Sequence, residues 1–166
     1  MRYFLIGFMG SGKSKIGKQL SEKLNLKYID LDEYIEESEN RTISDIFNNS
    51  GETYFRKLEE RYLKEIIKEK DLLVSTGGGT PTFNNLIDLM NEVGKTIYLE
   101  CCTETLFERL HINKDKRPII SQLSDKSLRR YIENKMQERK CFYNKAKYTI
   151  CNDKGSCVNE IVKVLR

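Results

Sequence analysis

The chain reads as a three-layer α/β/α protein, a parallel sheet of five strands covered by helices on both sides. Three observations carry that reading. Short apolar runs recur between longer segments whose apolar residues have helical spacing, so strands and helices alternate. The first run leads directly into Gly7-Phe8-Met9-Gly10-Ser11-Gly12-Lys13-Ser14, a complete G-x-x-x-x-G-K-S phosphate-binding loop in the strand-to-helix setting it requires. The length, 166 residues, is that of one ordinary domain, and nothing in the composition marks a linker, a repeat or a low-complexity tract.

Taken in order, the first strand spans Tyr3 to Ile6, and the helix from Lys13 presents Ile16, Leu20 and Leu24 on one face. Between them the glycines let backbone N–H groups curl around an anion, and the new helix points its positive end at it. Lys13 and the Ser14 hydroxyl are then placed for a phosphate and a divalent cation, so the chain is expected to bind a nucleoside triphosphate. A second strand, Lys27 to Ile29, runs into Asp30-Leu31-Asp32-Glu33 and a helix to Glu37. Asp30 is expected to cap that helix and Glu33 to close a capping box, while both aspartates can face the triphosphate. Helical spacing follows at Ile43 to Phe47 and, most strongly, from Glu52 to Lys70. Arg56 lies in this helix four residues from both Glu52 and Glu60, a spacing that suits a surface ion-pair ladder as well as a ligand contact.

The third strand, Leu72 to Ser75, ends in Ser75-Thr76 where many ATPases of this loop type place an aspartate for Mg²⁺, which leaves Asp30 as the best carboxylate for the metal. Gly77-Gly78-Gly79 follows, tolerant of unusual torsions and of close approach by a ligand. Then come a helix from Asn84 to Val93, a strand from Thr96 to Leu99 and a helix from Thr103 to Leu110. The aperiodic stretch of residues 111–125 is a candidate lid carrying Arg117. A helix from Leu128 to Tyr143 with Arg139, a strand from Tyr148 to Cys151 and a helix from Val158 to Leu165 complete the chain.

Composition narrows the partners. The net charge of +4 is mild and its acids and bases are mixed along helix faces, as in Glu59-Glu60-Arg61, so no nucleic-acid partner is expected. Five cysteines form no C-x-x-C pair, which suits reduced thiols in the cytoplasm rather than a disulfide framework or a metal site. No apolar run approaches the ~20 residues of a membrane helix, and the first residues do not resemble a signal peptide. His111, the only histidine, has no acidic or cysteine neighbours in sequence and reads as solvated.

Together, GFMGSGKS at 7–14, Asp30-x-Asp32, Gly-Glu-x-x-Phe-Arg at 51–56, Gly77-Gly78-Gly79, Arg117-Pro118 and Arg139-x-x-x-Tyr143 resemble the shikimate kinase family over essentially the full chain. The resemblance implies a P-loop NTPase of the nucleoside monophosphate kinase-like fold with sheet order 2-3-1-4-5, in one domain over residues 1–166. It implies substrate-binding helices at about 31–62, a lid at about 111–125, and ATP-dependent phosphorylation of the 3-hydroxyl of shikimate in chorismate biosynthesis. ATP would be held by Gly10, Ser11, Gly12, Lys13, Ser14, Lys15, Arg109 and Arg117, with Arg109 stacking on adenine. Shikimate would be held by Asp32, Arg56, Gly78, Gly79 and Arg139. Lys13, Asp32 and Arg117 would be catalytic, and Mg²⁺ would sit on Ser14 with Asp30 reaching it through water. The expected partners are therefore shikimate and ATP, with neither nucleic acid nor membrane, in a cytoplasmic monomer. Some relatives cover the second adenine face with a proline, and residues 152–156 here contain none. Two rivals remain at this point. A gluconate kinase would share fold and loop, whereas a GTP-dependent switch would want Asn-Lys-x-Asp, and Asn113-Lys114-Asp115 has its aspartate one position early.

Overall fold

The structure is a computed structural model that describes residues 1–112, 114 and 119–165. Its centre is a five-stranded parallel sheet in the order β2-β3-β1-β4-β5. The strands are β1 (Arg2–Ile6), β2 (Lys27–Asp30), β3 (Leu72–Ser75), β4 (Lys95–Glu100) and β5 (Tyr148–Cys151). The helices are α1 (Lys13–Leu24), α2 (Leu31–Glu39), α3 (Ile43–Ile66), α4 (Leu86–Val93), α5 (Thr103–Ile112), α6 (Asp125–Tyr143) and α7 (Val158–Leu165).

The central strand β1 shows why this sequence needs helices on both sides. Phe4 and Ile6 enter one core with residues of α2, α3, α4 and α6, whereas Tyr3 and Leu5 enter a second core with α1 and α7. Successive strand residues point to opposite faces, so a strand apolar at every position from Tyr3 to Ile6 is stable only when both faces are covered. A third cluster joins Phe8 of the first loop to α5 and α6, including Leu106, Leu110, Leu128 and Ile132. It ties the phosphate-binding loop to the elements that flank residues 113–118.

Boundaries differ from the sequence reading where local chemistry decides them. The helix expected from Asn84 begins at Leu86, because Asn84 and Asn85 take left-handed conformations (φ 43° and 57°) that cannot continue a helix. The helices expected at 43–47 and from Glu52 meet at Gly51, whose φ of 80° and ψ of 170° break the run of helical torsions inside α3. The α6 helix starts earlier than Leu128, where the Ser124 hydroxyl accepts from the Ser127 N–H as an N-cap.

Candidate active site

All five strands end on the same edge of the sheet, and the loops that leave this edge enclose one continuous cleft. In an open α/β sheet ligands bind outside the carboxyl ends of the strands. One part of the cleft, about 580 Å³, is lined by the first loop, Asp30, Asp32 and Arg109. The other, about 530 Å³, is lined by α3, the glycine triplet and α6. Met9, Asp32, Gly77 and Gly78 line both, so Asp32 sits where the two parts meet.

In the first part, Gly7, Gly10 and Gly12 have φ of 145°, 81° and 94°, which side-chain-bearing residues rarely adopt. The loop therefore curls into the start of α1. The buried Lys13 ammonium donates to the carbonyls of Gly7 (2.8 Å) and Phe8 (3.0 Å), folded back along the loop it would leave to meet a phosphate. Lys15 is exposed at the rim. Ser14 Oγ donates to Asp30 Oδ2 at 2.7 Å, while Asp30 Oδ1 accepts the Asp32 N–H at 3.1 Å. Asp30 thus caps α2 and faces the loop at once. Glu33, expected to close a capping box, is instead exposed at the rim and hydrogen-bonds nothing among the described residues.

Arg109 reaches this part from α5. Its guanidinium donates to the carbonyls of Asn152 and Asp153, both at 2.7 Å, and to that of Gly10 at 3.3 Å. Asn152, almost wholly buried, donates through its own side chain to the Ser11 carbonyl at 2.8 Å. The loop after β5 is therefore locked to the phosphate-binding loop through Arg109 and Asn152, with the arginine held in a fixed plane beside the cleft.

In the second part, the glycine triplet makes close approaches rather than unusual turns. None of Gly77, Gly78 and Gly79 has a positive φ. A Cβ on Gly77 would lie 2.3 Å from Glu59 Oε1, one on Gly79 2.4 Å from the Arg56 guanidinium carbon, and one on Gly78 3.2 Å from Arg139 Nη1. The side chains of α3 and α6 press directly on this backbone. Glu59, expected on a solvated helix face, is fully buried. It accepts from Arg56 at 2.5 Å and from the Thr80 hydroxyl, while Glu52 pairs with the same arginine at 2.9 Å. Glu60, the partner expected from spacing, pairs with Lys64 instead. Burial pushes the Glu59 carboxyl upward, opposed by the Arg56 charge.

Arg139 is also buried, its guanidinium 5.5 Å from the centre of the Phe8 ring. Near it, the Tyr143 hydroxyl donates to the Gly78 carbonyl at 2.7 Å. Asp32 completes the junction. Burial, reinforced by the carboxylates of Glu59 and Asp30, pushes its carboxyl up to about 7. Its Oδ1 is buried and has no hydrogen-bond partner among the described residues. A carboxylate at that pKa, with one oxygen unpartnered where the two parts of the cleft meet, is suited to accept or orient a hydroxyl proton.

A protein-family model described as shikimate kinase matches residues 9–166. The chain belongs to the shikimate kinase family. The shikimate kinase of Azobacteroides pseudotrichonymphae is 42% identical over 165 residues, covering 99% of this chain and 96% of that relative. Among solved structures, the shikimate kinase of Bacteroides thetaiotaomicron superposes with a TM-score of 0.95 at 38% identity, covering 99% of this chain and 98% of that one. The shikimate kinase of Acinetobacter baumannii in complex with shikimate gives 0.88 at 28% identity, covering 99% and 92%.

Measured against the shikimate kinase pattern read from sequence, the cleft gathers Lys13, Ser14, Asp30, Asp32, Arg56, Gly78, Gly79, Arg109 and Arg139. Arg117 and Pro118 lie outside the described residues. His111 is exposed as expected, yet its Nδ1 lies 3.2 Å from Asp125 Oδ1, a neighbour hidden by the distance along the chain. Glu59 is the residue that sequence reasoning missed. The signal was present, because Phe55, Glu59, Tyr62 and Ile66 recur at helical spacing, which puts the glutamate on the apolar face.

Proposed function

We propose that this chain transfers the γ-phosphoryl group of ATP to the 3-hydroxyl of shikimate, giving shikimate 3-phosphate and ADP in chorismate and aromatic amino acid biosynthesis. The observation that carries this reading is the position of Asp32 at the junction of two unlike half-sites, one an anion-cradling loop and the other holding two largely buried arginines. Phosphoryl transfer asks a protein mainly for alignment and charge neutralisation, and such a junction supplies alignment.

In this mechanism the loop from Gly10 to Ser14, with Lys15 at its rim, holds the phosphates. Lys13 exchanges its two loop carbonyls for phosphate oxygens, and Arg109 offers its fixed plane to the base. Arg56 and Arg139 grip the carboxylate of shikimate, each charge-assisted bond contributing ~1.5–3 kcal/mol. The backbone of Gly78 and Gly79 borders the bound acid, and Asp32 orients the acceptor hydroxyl and takes up its proton. The oxygen donors of Ser14 and Asp30, 2.7 Å apart at the mouth of the loop, fit a hard divalent cation. Mg²⁺ would be held by Ser14 and, through water, by Asp30, and would neutralise charge on the phosphates. Arg117 is assigned to the transferred group, and residues 111–125 to a lid, on the sequence pattern alone.

The chain is read as one domain over residues 1–166, with the helices of 31–62 on the acceptor side. Both half-sites come from a single chain, which supports a monomer as the working unit. Free thiols at all five cysteines and the use of ATP support a cytoplasmic setting. The decisive experiment offers shikimate, gluconate and nucleoside monophosphates separately with Mg²⁺ and ATP and follows ADP release. Turnover with shikimate is expected, and turnover confined to gluconate or to a nucleotide would overturn the reading.

A further inference from the structure

Behind the Ser14–Asp30 pair lies a second polar layer that the reaction just described does not use. The Tyr28 hydroxyl, carried on β2, lies 3.3 Å from Asp30 Oδ2 and 3.1 Å from Ser75 Oγ at the end of β3. Ser75 in turn reaches the carbonyl of Lys13 in the first turn of α1, at 3.2 Å. One chain of hydroxyls thus joins the carboxylate on β2, the end of β3 and the helix that carries the phosphate-binding loop.

The packing around Tyr28 is built to keep its hydroxyl there. A Cβ on Gly17 would lie 2.5 Å from Tyr28 Cε2 and 2.8 Å from Ser75 Oγ, so the ring passes under α1 only because that position has no side chain. Asp30 Oδ2 already accepts from Ser14, and Oδ1 is committed to the Asp32 N–H. The phenol has one proton to donate and two acceptors within reach. Of the two acceptors the charged carboxylate is the stronger, and when the phenol donates there the Ser75 hydroxyl can turn its own proton from the Lys13 carbonyl to the phenol oxygen, backing it from behind. Outer hydrogen bonds of this kind fix the orientation of a metal-facing group and tune its affinity.

We propose that Tyr28, backed by Ser75, is a positioning residue for the divalent cation: it holds the Asp30 carboxylate in register with Ser14, doing from β2 and β3 what an aspartate at the end of β3 does in other enzymes with this loop. The inference rests on the assignment of Ser14 and Asp30 to the metal. The test compares wild type, Tyr28→Phe, Ser75→Ala and Asp30→Asn, with Mn²⁺ as the probe. Mn²⁺ binding in the presence of ADP is read by electron paramagnetic resonance, beside the Mg²⁺ dependence of turnover and the KM for shikimate.

Tyr28→Phe is expected to weaken Mn²⁺ binding about three- to tenfold, the range of one net hydrogen bond. The Mg²⁺ requirement should rise in parallel while the KM for shikimate stays within about twofold, since Tyr28 lines neither part of the cleft. Ser75→Ala, which leaves the phenol but removes its backing, should act in the same direction and more weakly. A clear loss of Mn²⁺ affinity in Asp30→Asn with none in Tyr28→Phe would overturn the role of Tyr28 alone. Unchanged affinity in Asp30→Asn would overturn the metal assignment itself, and the inference with it. A parallel rise in the Mg²⁺ requirement and the KM for shikimate in Tyr28→Phe would mark general distortion of the cleft and also count against the proposal.

Discussion

Asp32 and Glu59 are carboxylates held in surroundings far from what their type prefers, and each yields a test. The Asp32 carboxyl rises from its ordinary value of 3.8 to about 7 in the fold. The folded state therefore binds that proton more tightly than the unfolded chain, and the stabilisation is complete below about 4 and lost as the pH rises through 7. Asp32→Asn, neutral at every pH, should melt about 3 °C or more above wild type at pH 8, a difference that vanishes toward pH 4 in thermal unfolding. The same substitution should lower turnover by a factor on the order of 10²–10⁴, the usual contribution of a positioned acid or base, with ATP affinity retained. In wild type, kcat/KM for shikimate should fall toward acid with a midpoint near 7, the Asp32 value. Glu59 gives the second test. Because it is fully buried against Arg56, removing the arginine leaves an unpaired buried charge, a loss of about 3–5 kcal/mol rather than the tenths expected of a surface ladder. Arg56→Ala should therefore unfold at markedly lower urea, and Arg56→Ala with Glu59→Gln should recover most of that stability without recovering shikimate binding.

At the scale of elements, the glycines separate two kinds of constraint. Gly51 has φ of 80° and nothing within 4 Å of where a Cβ would stand, so its only task is to turn the chain between the two halves of α3. Gly51→Ala should cost about 1–2 kcal/mol from backbone strain alone, read as a lower denaturant midpoint with KM for ATP unchanged. Gly79 has ordinary torsions but no room, so Gly79→Ala must displace the Arg56 guanidinium and should raise KM for shikimate more than it lowers stability. The sequence shows both glycines and cannot say which constraint applies, since torsion and proximity leave the same letter. The phosphate-binding loop was legible because its chemistry is written in consecutive residues. The Glu59–Arg56–Thr80 cluster was not, because Thr80 arrives from a loop after β3 and only the fold brings it to α3.

For the molecule as a whole, the alternation of apolar runs predicts the parallel sheet and its two covered faces, and the five strands stand where those runs lie. Their order across the sheet is a different kind of fact. Periodicity says which residues are strands but not which strands are neighbours, so 2-3-1-4-5 came from family resemblance and the structure has that order. The order matters for function because it brings the ends of β1, β2 and β3 side by side, which sets the loop of β1 beside Asp30 of β2 and the glycine triplet of β3. One cleft with two chemically different ends follows, a glycine-rich loop at one and two arginines at the other, meeting at Asp32; the proposed function gives the first to the triphosphate and the second to the carboxylate of the acceptor. That division of labour is the central claim, and initial-rate kinetics of Arg139→Ala with each substrate varied in turn test it most directly. A rise in KM for shikimate of tenfold or more, the order of one lost charge-assisted bond, with KM for ATP within about twofold of wild type, is the predicted result. Equal rises for both substrates would contradict it.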